Sequence, residues 1–162
     1  MPASAPQAVE VFSVGCLAGN SEACAEAGAL LLAAAPGPPG AAAPPAARAD
    51  ALLRAGCEKE PFDARSGRCC EQLAALHLSP RRAPGAPPRA PDAQLAGGLR
   101  RGCDGEQPAA CLRLALAHRF GALGLQKDAA AAEALEAKGL QWSGMSPEQA
   151  QKAVAAKAWG AR

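Results

Sequence analysis

Apolar positions recur along the chain at helical spacing. Leu95, Leu99 and Cys103 stand at i, i+4 and i+8, and Leu112, Leu116 and Phe120 repeat the pattern in the next stretch. Short polar segments containing Gly, Asn, Ser or Asp separate such stretches and read as hinges between helices. Asp50, Asp92 and Asp128 precede or open the first helix of successive pairs, where they act as caps and dipole partners. The run Ser146-Pro147-Glu148-Gln149 combines an N-cap serine, a first-turn proline and a glutamine three residues on. It predicts one last helix reaching toward Trp159. The stretches 35–48 and 79–92 are proline-rich and cannot continue a helix, because proline lacks the donor and clashes with the preceding turn. They read as expanded connections between helix pairs. Their extended character would also suit a ligand for a partner, but a spacer is the preferred reading.

The cysteines expose a repeat. "GCLAGNSEAC" from Gly15 and "GCDGEQPAAC" from Gly102 share one spacing, and "GCEKEPFDARSGRCC" from Gly56 is a longer version. Cys24 to Cys57 and Cys70 to Cys103 are both 33 residues apart. That equality makes Cys70, not its neighbour Cys69, the counterpart of Cys24, and it puts residue 69 in the column of Ala23 and Ala110. A small residue follows the second cysteine by four in each copy: Gly28, Ala74 and Ala115. Gly56, Gly102 and Gly139 fall in one column, with Leu140 where a fourth cysteine would stand.

Composition narrows the class. The chain is 49% hydrophobic and 20% charged, so it is globular. Its apolar share is largely Ala and Leu, with three Phe, two Trp and no Tyr, which favours close-packed helices. The expected fold is all-α. A net charge of +2 is too small for a nucleic-acid partner, and the doublets Arg81-Arg82 and Arg100-Arg101 have no interleaved aromatics. No segment approaches the ~20 apolar residues that span a membrane. The amino terminus shows no basic region followed by an apolar run, so no signal peptide is visible.

These residues resemble the cysteine-rich branch of the Sel-one-like repeats, relatives of the tetratricopeptide repeats. The Gly-Cys-x7-Cys hinge carries the resemblance, with the small residue four after the second cysteine and an Asp before the next Ala/Leu-rich helix. The closest stretch is "FGALGLQKDAAAAEALEAKGL", Phe120 to Leu140. Missing tyrosines, the proline inserts and five extra residues between Cys57 and Cys70 depart from the family pattern. The resemblance implies a right-handed α/α solenoid of about three disulfide-bridged helix pairs plus a terminal pair, in one domain over 1–162. The units are 5–34, 47–78 and 91–124, and the terminal pair is 128–160. It further implies the bridges Cys16–Cys24, Cys57–Cys70 and Cys103–Cys111, each joining the two helices of a unit, with Cys69 as the odd thiol. Three bridges imply an oxidising compartment, periplasmic or extracellular, with the mitochondrial intermembrane space as the alternative.

The chemistry of the chain is sparse. There is no C-x2-C pair, and His77 and His118 share a repeat column seven residues after a second cysteine, so no metal is expected. No C-x-x-C-H attachment motif exists, and no cofactor is expected. Some family members resemble β-lactamases or penicillin-binding enzymes, and another relative is a haem-handling respiratory-chain assembly factor. Both are alternatives here. No Ser-x-x-Lys occurs, however, and no nucleophile, base and oxyanion set assembles in the sequence. The expected function is non-catalytic: a monomeric scaffold that binds a peptide or partner protein on the concave face of a helical solenoid. Cys69 is expected to be a small buried filler, with a reactive or intermolecular thiol as the alternative.

Overall fold

The computed structural model describes residues 4–34, 44–80, 85–146 and 148–149. Among these, seven α-helices follow one another with no strand: α1 Ala5–Leu17, α2 Ser21–Ala33, α3 Pro45–Cys57, α4 Ala64–Leu78, α5 Asp92–Asp104, α6 Pro108–Phe120 and α7 Ala129–Ser143. Local chemistry sets the ends. Asn20 accepts from the N–H groups of Glu22 and Ala23, Asp63 from Ser66, and Asp128 from Ala131, each closing an N-terminus. Gly121 ends α6 at φ 67°, a left-handed turn that a side chain would resist.

The three aspartates do not share one role. Asp128 caps α7 and Asp92 opens α5, but α3 begins five residues before Asp50, at Pro45. Proline at the first helical position loses no hydrogen bond and already has the required φ, so the end of the proline-rich stretch 35–48 starts a helix. Asp50 therefore lies in the second turn of α3, past the N–H groups that a cap would satisfy. At the far end Ser146 and Gln149 exchange reciprocal side-chain to backbone bonds of 3.1 and 3.3 Å, a capping box. The rest of the helix expected toward Trp159 lies outside the described residues, as do residues 35–43 of the first proline-rich stretch and 81–84 of the second, Arg81-Arg82 among them.

Each helix packs on its neighbours in the chain, and α1 also touches α3, as α2 touches α4. The core is built from small side chains, and Leu53 and Leu99 are the largest that are fully buried. On α5 the pattern Leu95, Leu99, Cys103 is the buried face. On α6 it is not: Leu114, Ala115 and Ala117 point inward, Leu112 lies against Gly139 of α7, and Phe120 is 72% exposed. The apolar residues of α6 exceed one stripe, and the stripe of small residues wins the core because the helices sit close together.

That closeness has a specific origin. The glycine before each first cysteine faces the residue before each second cysteine. A Cβ on Gly15 would stand 3.0 Å from Ala23 Cβ, and one on Gly102 would stand 2.8 Å from Ala110 Cβ. One on Gly56 would stand 2.4 Å from Cys69 Sγ. The Gly column and the Ala/Cys column are two sides of one contact, repeated in three helix pairs.

The contact predicts that Gly102→Ala lowers stability by about 1–3 kcal/mol through overpacking, although alanine in an open helix would add about 1 kcal/mol. Urea unfolding checks this. A variant as stable as the parent would contradict the contact.

Candidate functional site

The chemistry-bearing groups fall into two places, a thiol and disulfide cluster and a buried histidine. Three disulfides join Cys16 to Cys24, Cys57 to Cys70 and Cys103 to Cys111, with Cα atoms 4.5, 4.6 and 4.6 Å apart. Each ties the last turn of one helix to the next helix, and each closes a loop short enough to contribute about 2.5–3 kcal/mol. The middle staple spans a longer hinge, 58–63, and α4 starts further ahead of its cysteine than α2 or α6 does. The added hinge makes its own contact with the following unit. Arg101 of α5 stacks over Phe62 at 4.5 Å and reaches Glu60 at 3.4 Å.

Cys69 is the free cysteine among the described residues and is fully buried. Its thiol donates to the carbonyl of Ser21 at 3.1 Å, across from α4 to α2. Ser21 and Ser66, both buried, place their hydroxyls 3.2 Å apart. The Ser66 hydroxyl and N–H both donate to Asp63, which leaves Ser21 to donate to Ser66. The Ser66 N–H holds the Asp63 carboxyl below its ordinary value. Burial pushes the Cys69 thiol up to about 12, against the weaker pull of Arg68. A group held as the neutral thiol is neither a ready nucleophile nor a ready metal ligand.

His77 is also buried, at 3% exposure. Its Nε2 lies 2.6 Å from Asp50 Oδ1, and its Nδ1 accepts from the Ala90 N–H at 3.1 Å. Because Nδ1 is the acceptor, the network assigns the ring proton to Nε2, which donates to Asp50. Arg54 donates to the same carboxylate at 3.3 Å. Histidine, aspartate and arginine thus join α3, α4 and the segment entering α5. His118 shares the repeat column but not the surroundings. It is half-buried, its Nδ1 has no hydrogen-bond partner, and its carbonyl accepts from Asp128 N–H.

A cavity of about 20 Å³ beside His77 is lined by Arg54, Cys70, Leu73, Gln94 and Leu95. It has room for a water molecule and not for a substrate of ordinary size. The structure does not bring Cys69 together with either histidine, since the thiol points to Ser21 and His77 uses both ring nitrogens elsewhere. The His77–Asp50 pair was hidden in the sequence by its members' separation of 27 positions and by the reading of Asp50 as a cap. Among the described residues no group of three or more metal-ligating side chains converges, and no helix is long and apolar enough to cross a membrane. Three disulfides fit oxidising surroundings. Comparison with protein-family models, with curated proteins and with solved structures finds no match to this chain.

Two outcomes follow from these environments. At neutral pH Cys69 resists alkylation in the folded, oxidised protein and reacts fully in denaturant, giving one thiol per chain. Rapid labelling of the native protein would contradict the buried placement. His77→Leu leaves the Ala90 N–H without a partner and the Asp50 carboxylate with Arg54 alone, and it lowers stability by about 1–3 kcal/mol, measured by chemical unfolding. A neutral or stabilising effect would contradict the buried pair.

Proposed function

We propose that the chain is a non-catalytic interaction scaffold of the cysteine-rich Sel-one-like type, a right-handed solenoid of stapled helix pairs that binds a peptide or partner protein on its concave face. Recurrence across units supports the solenoid. Ion pairs link equivalent helices of successive units: Glu10–Arg48, Glu22–Arg65, Glu26–Arg68, Glu71–Arg113 and Asp104–Lys138. In each the acid belongs to the earlier unit and the base to the later, which is the polarity of one module stacked head to tail. Most are exposed and each adds about 0–1 kcal/mol, so they set register more than stability. The same reading places the protein in the periplasm or outside the cell, as a monomer.

One observation carries the binding role. On α1, Val11, Val14 and Leu17 are 68%, 67% and 81% exposed and lie along one side of the helix. The repeat register sets Val14 in the column of Ala55, Arg101 and Lys138, and Leu17 in the column of Glu58, Asp104 and Gln141. At the Val14 and Leu17 positions two of the three later copies carry charge, and the first copy carries an apolar side chain. The proposal assigns this apolar side of α1 to the concave face, where it is an anchor for a partner.

An affinity capture with the oxidised protein, followed by cross-link mapping, tests the proposal. The expected partner cross-links to α1, and Val14→Glu or Leu17→Glu reduces capture several-fold, on the order of 1–2 kcal/mol per anchor. Capture that ignores both changes would contradict it. So would saturable hydrolysis of a chromogenic β-lactam that co-purifies with the folded protein.

A further inference from the structure

The connection between α4 and α5 is rich in proline. Its described part ends in Ala86-Pro87-Pro88-Arg89-Ala90-Pro91. Proline holds φ near −65° at 87, 88 and 91, and a following proline pushes Ala86, Pro87 and Ala90 to extended backbone. Ala86, Pro87 and Ala90 are therefore held at or near polyproline II, Pro88 has the matching φ, and Pro91 itself sits at φ −57°, ψ 147°. That helix has three residues per turn, so residues three apart share an edge.

Burial follows this period. Pro87 and Ala90 form the edge turned toward the protein, half-buried and buried respectively. Pro88 and Pro91 form an exposed edge, and Arg89 stands on the third with its side chain 47% exposed. The segment is also held. Gly85 packs so closely on the other proline-rich connection that a Cβ would stand 2.3 Å from Pro44 Cβ. At the other end His77, fixed by Asp50, gives its remaining acceptor to the Ala90 N–H. A proline ridge is thus displayed in its extended form before any partner arrives, which lowers the entropic cost of docking.

We propose that Ala86–Pro91 is a docking ligand for a protein module that reads polyproline II. The module has an aromatic-lined groove that takes Pro88 and Pro91, and a flanking carboxylate that takes Arg89. Arg89 pairs with Asp92 at 2.8 Å, but both are half exposed and the pair is weak enough to exchange for a partner's carboxylate.

The test titrates the whole oxidised protein into a panel of purified SH3, WW and EVH1 domains and follows binding by fluorescence. At least one domain saturates. Pro88→Ala combined with Pro91→Ala weakens it about tenfold or more, and so does Arg89→Glu alone. The melting temperature of Arg89→Glu stays at the parent value, because this side chain packs against nothing in the core. Val14→Glu leaves this binding unchanged, which separates its failure from failure of the concave-face reading. No binding by any domain of the panel, or binding that ignores both sets of changes, overturns the proposal.

Discussion

The close approach of a glycine to the small residue opposite it, just beside each disulfide, is the contact on which the remaining architecture depends. Gly15, Gly56 and Gly102 bring one helix onto the next at the hinge, with Ala23, Cys69 and Ala110 filling the space that a Cβ would have taken. The disulfide one residue on from each holds that approach. The two devices act at the same hinge. Alanine-rich helices bury little apolar area per residue, so hydrophobic burial gives a modest return and short covalent loops supply much of the difference. The contact also explains why larger side chains, such as Leu112 and Phe120 on α6, end up at the flanks while Leu114 and Ala117 occupy the core.

The same contact gives Cys69 its character. It is the middle member of the column facing the glycines, and it is larger than alanine by one polarisable sulfur. Opposite Gly56 that sulfur fits, bonds to the Ser21 carbonyl and loses contact with water. Loss of water raises the thiol far from the range in which it would be a thiolate. The residue next to a disulfide cysteine is therefore the least reactive kind of cysteine, a consequence of packing rather than of its neighbour.

The all-helical fold and its hinges were legible in the sequence, because a glycine, a fixed spacing and a following small residue are all local signals. The column that pairs residue 69 with Ala23 and Ala110 was legible too, and it describes the side of the helix that faces the glycines. Three things were not. The start of α3 was obscured because Pro45 reads as a helix breaker although its fixed φ suits a first turn. The face of α6 was obscured because nearly every position on it is apolar, so periodicity cannot choose among stripes. The pairing of His77 with Asp50 joins residues on different helices, and nothing short-range in the sequence marks it. Its effect is to fasten the proline-rich entry to α5 onto α3 and α4, which turns a connection into a fixed surface.

Cys70, and not the adjacent Cys69, closes the middle hinge, while Cys69 fills the space over Gly56. Peptide mapping of the protein digested without reduction tests it most directly. The expected result is a peptide linking Cys57 to Cys70, alongside Cys16–Cys24 and Cys103–Cys111, with Cys69 in no disulfide. A Cys57–Cys69 link, or a bond between Cys69 and Cys70, would contradict it.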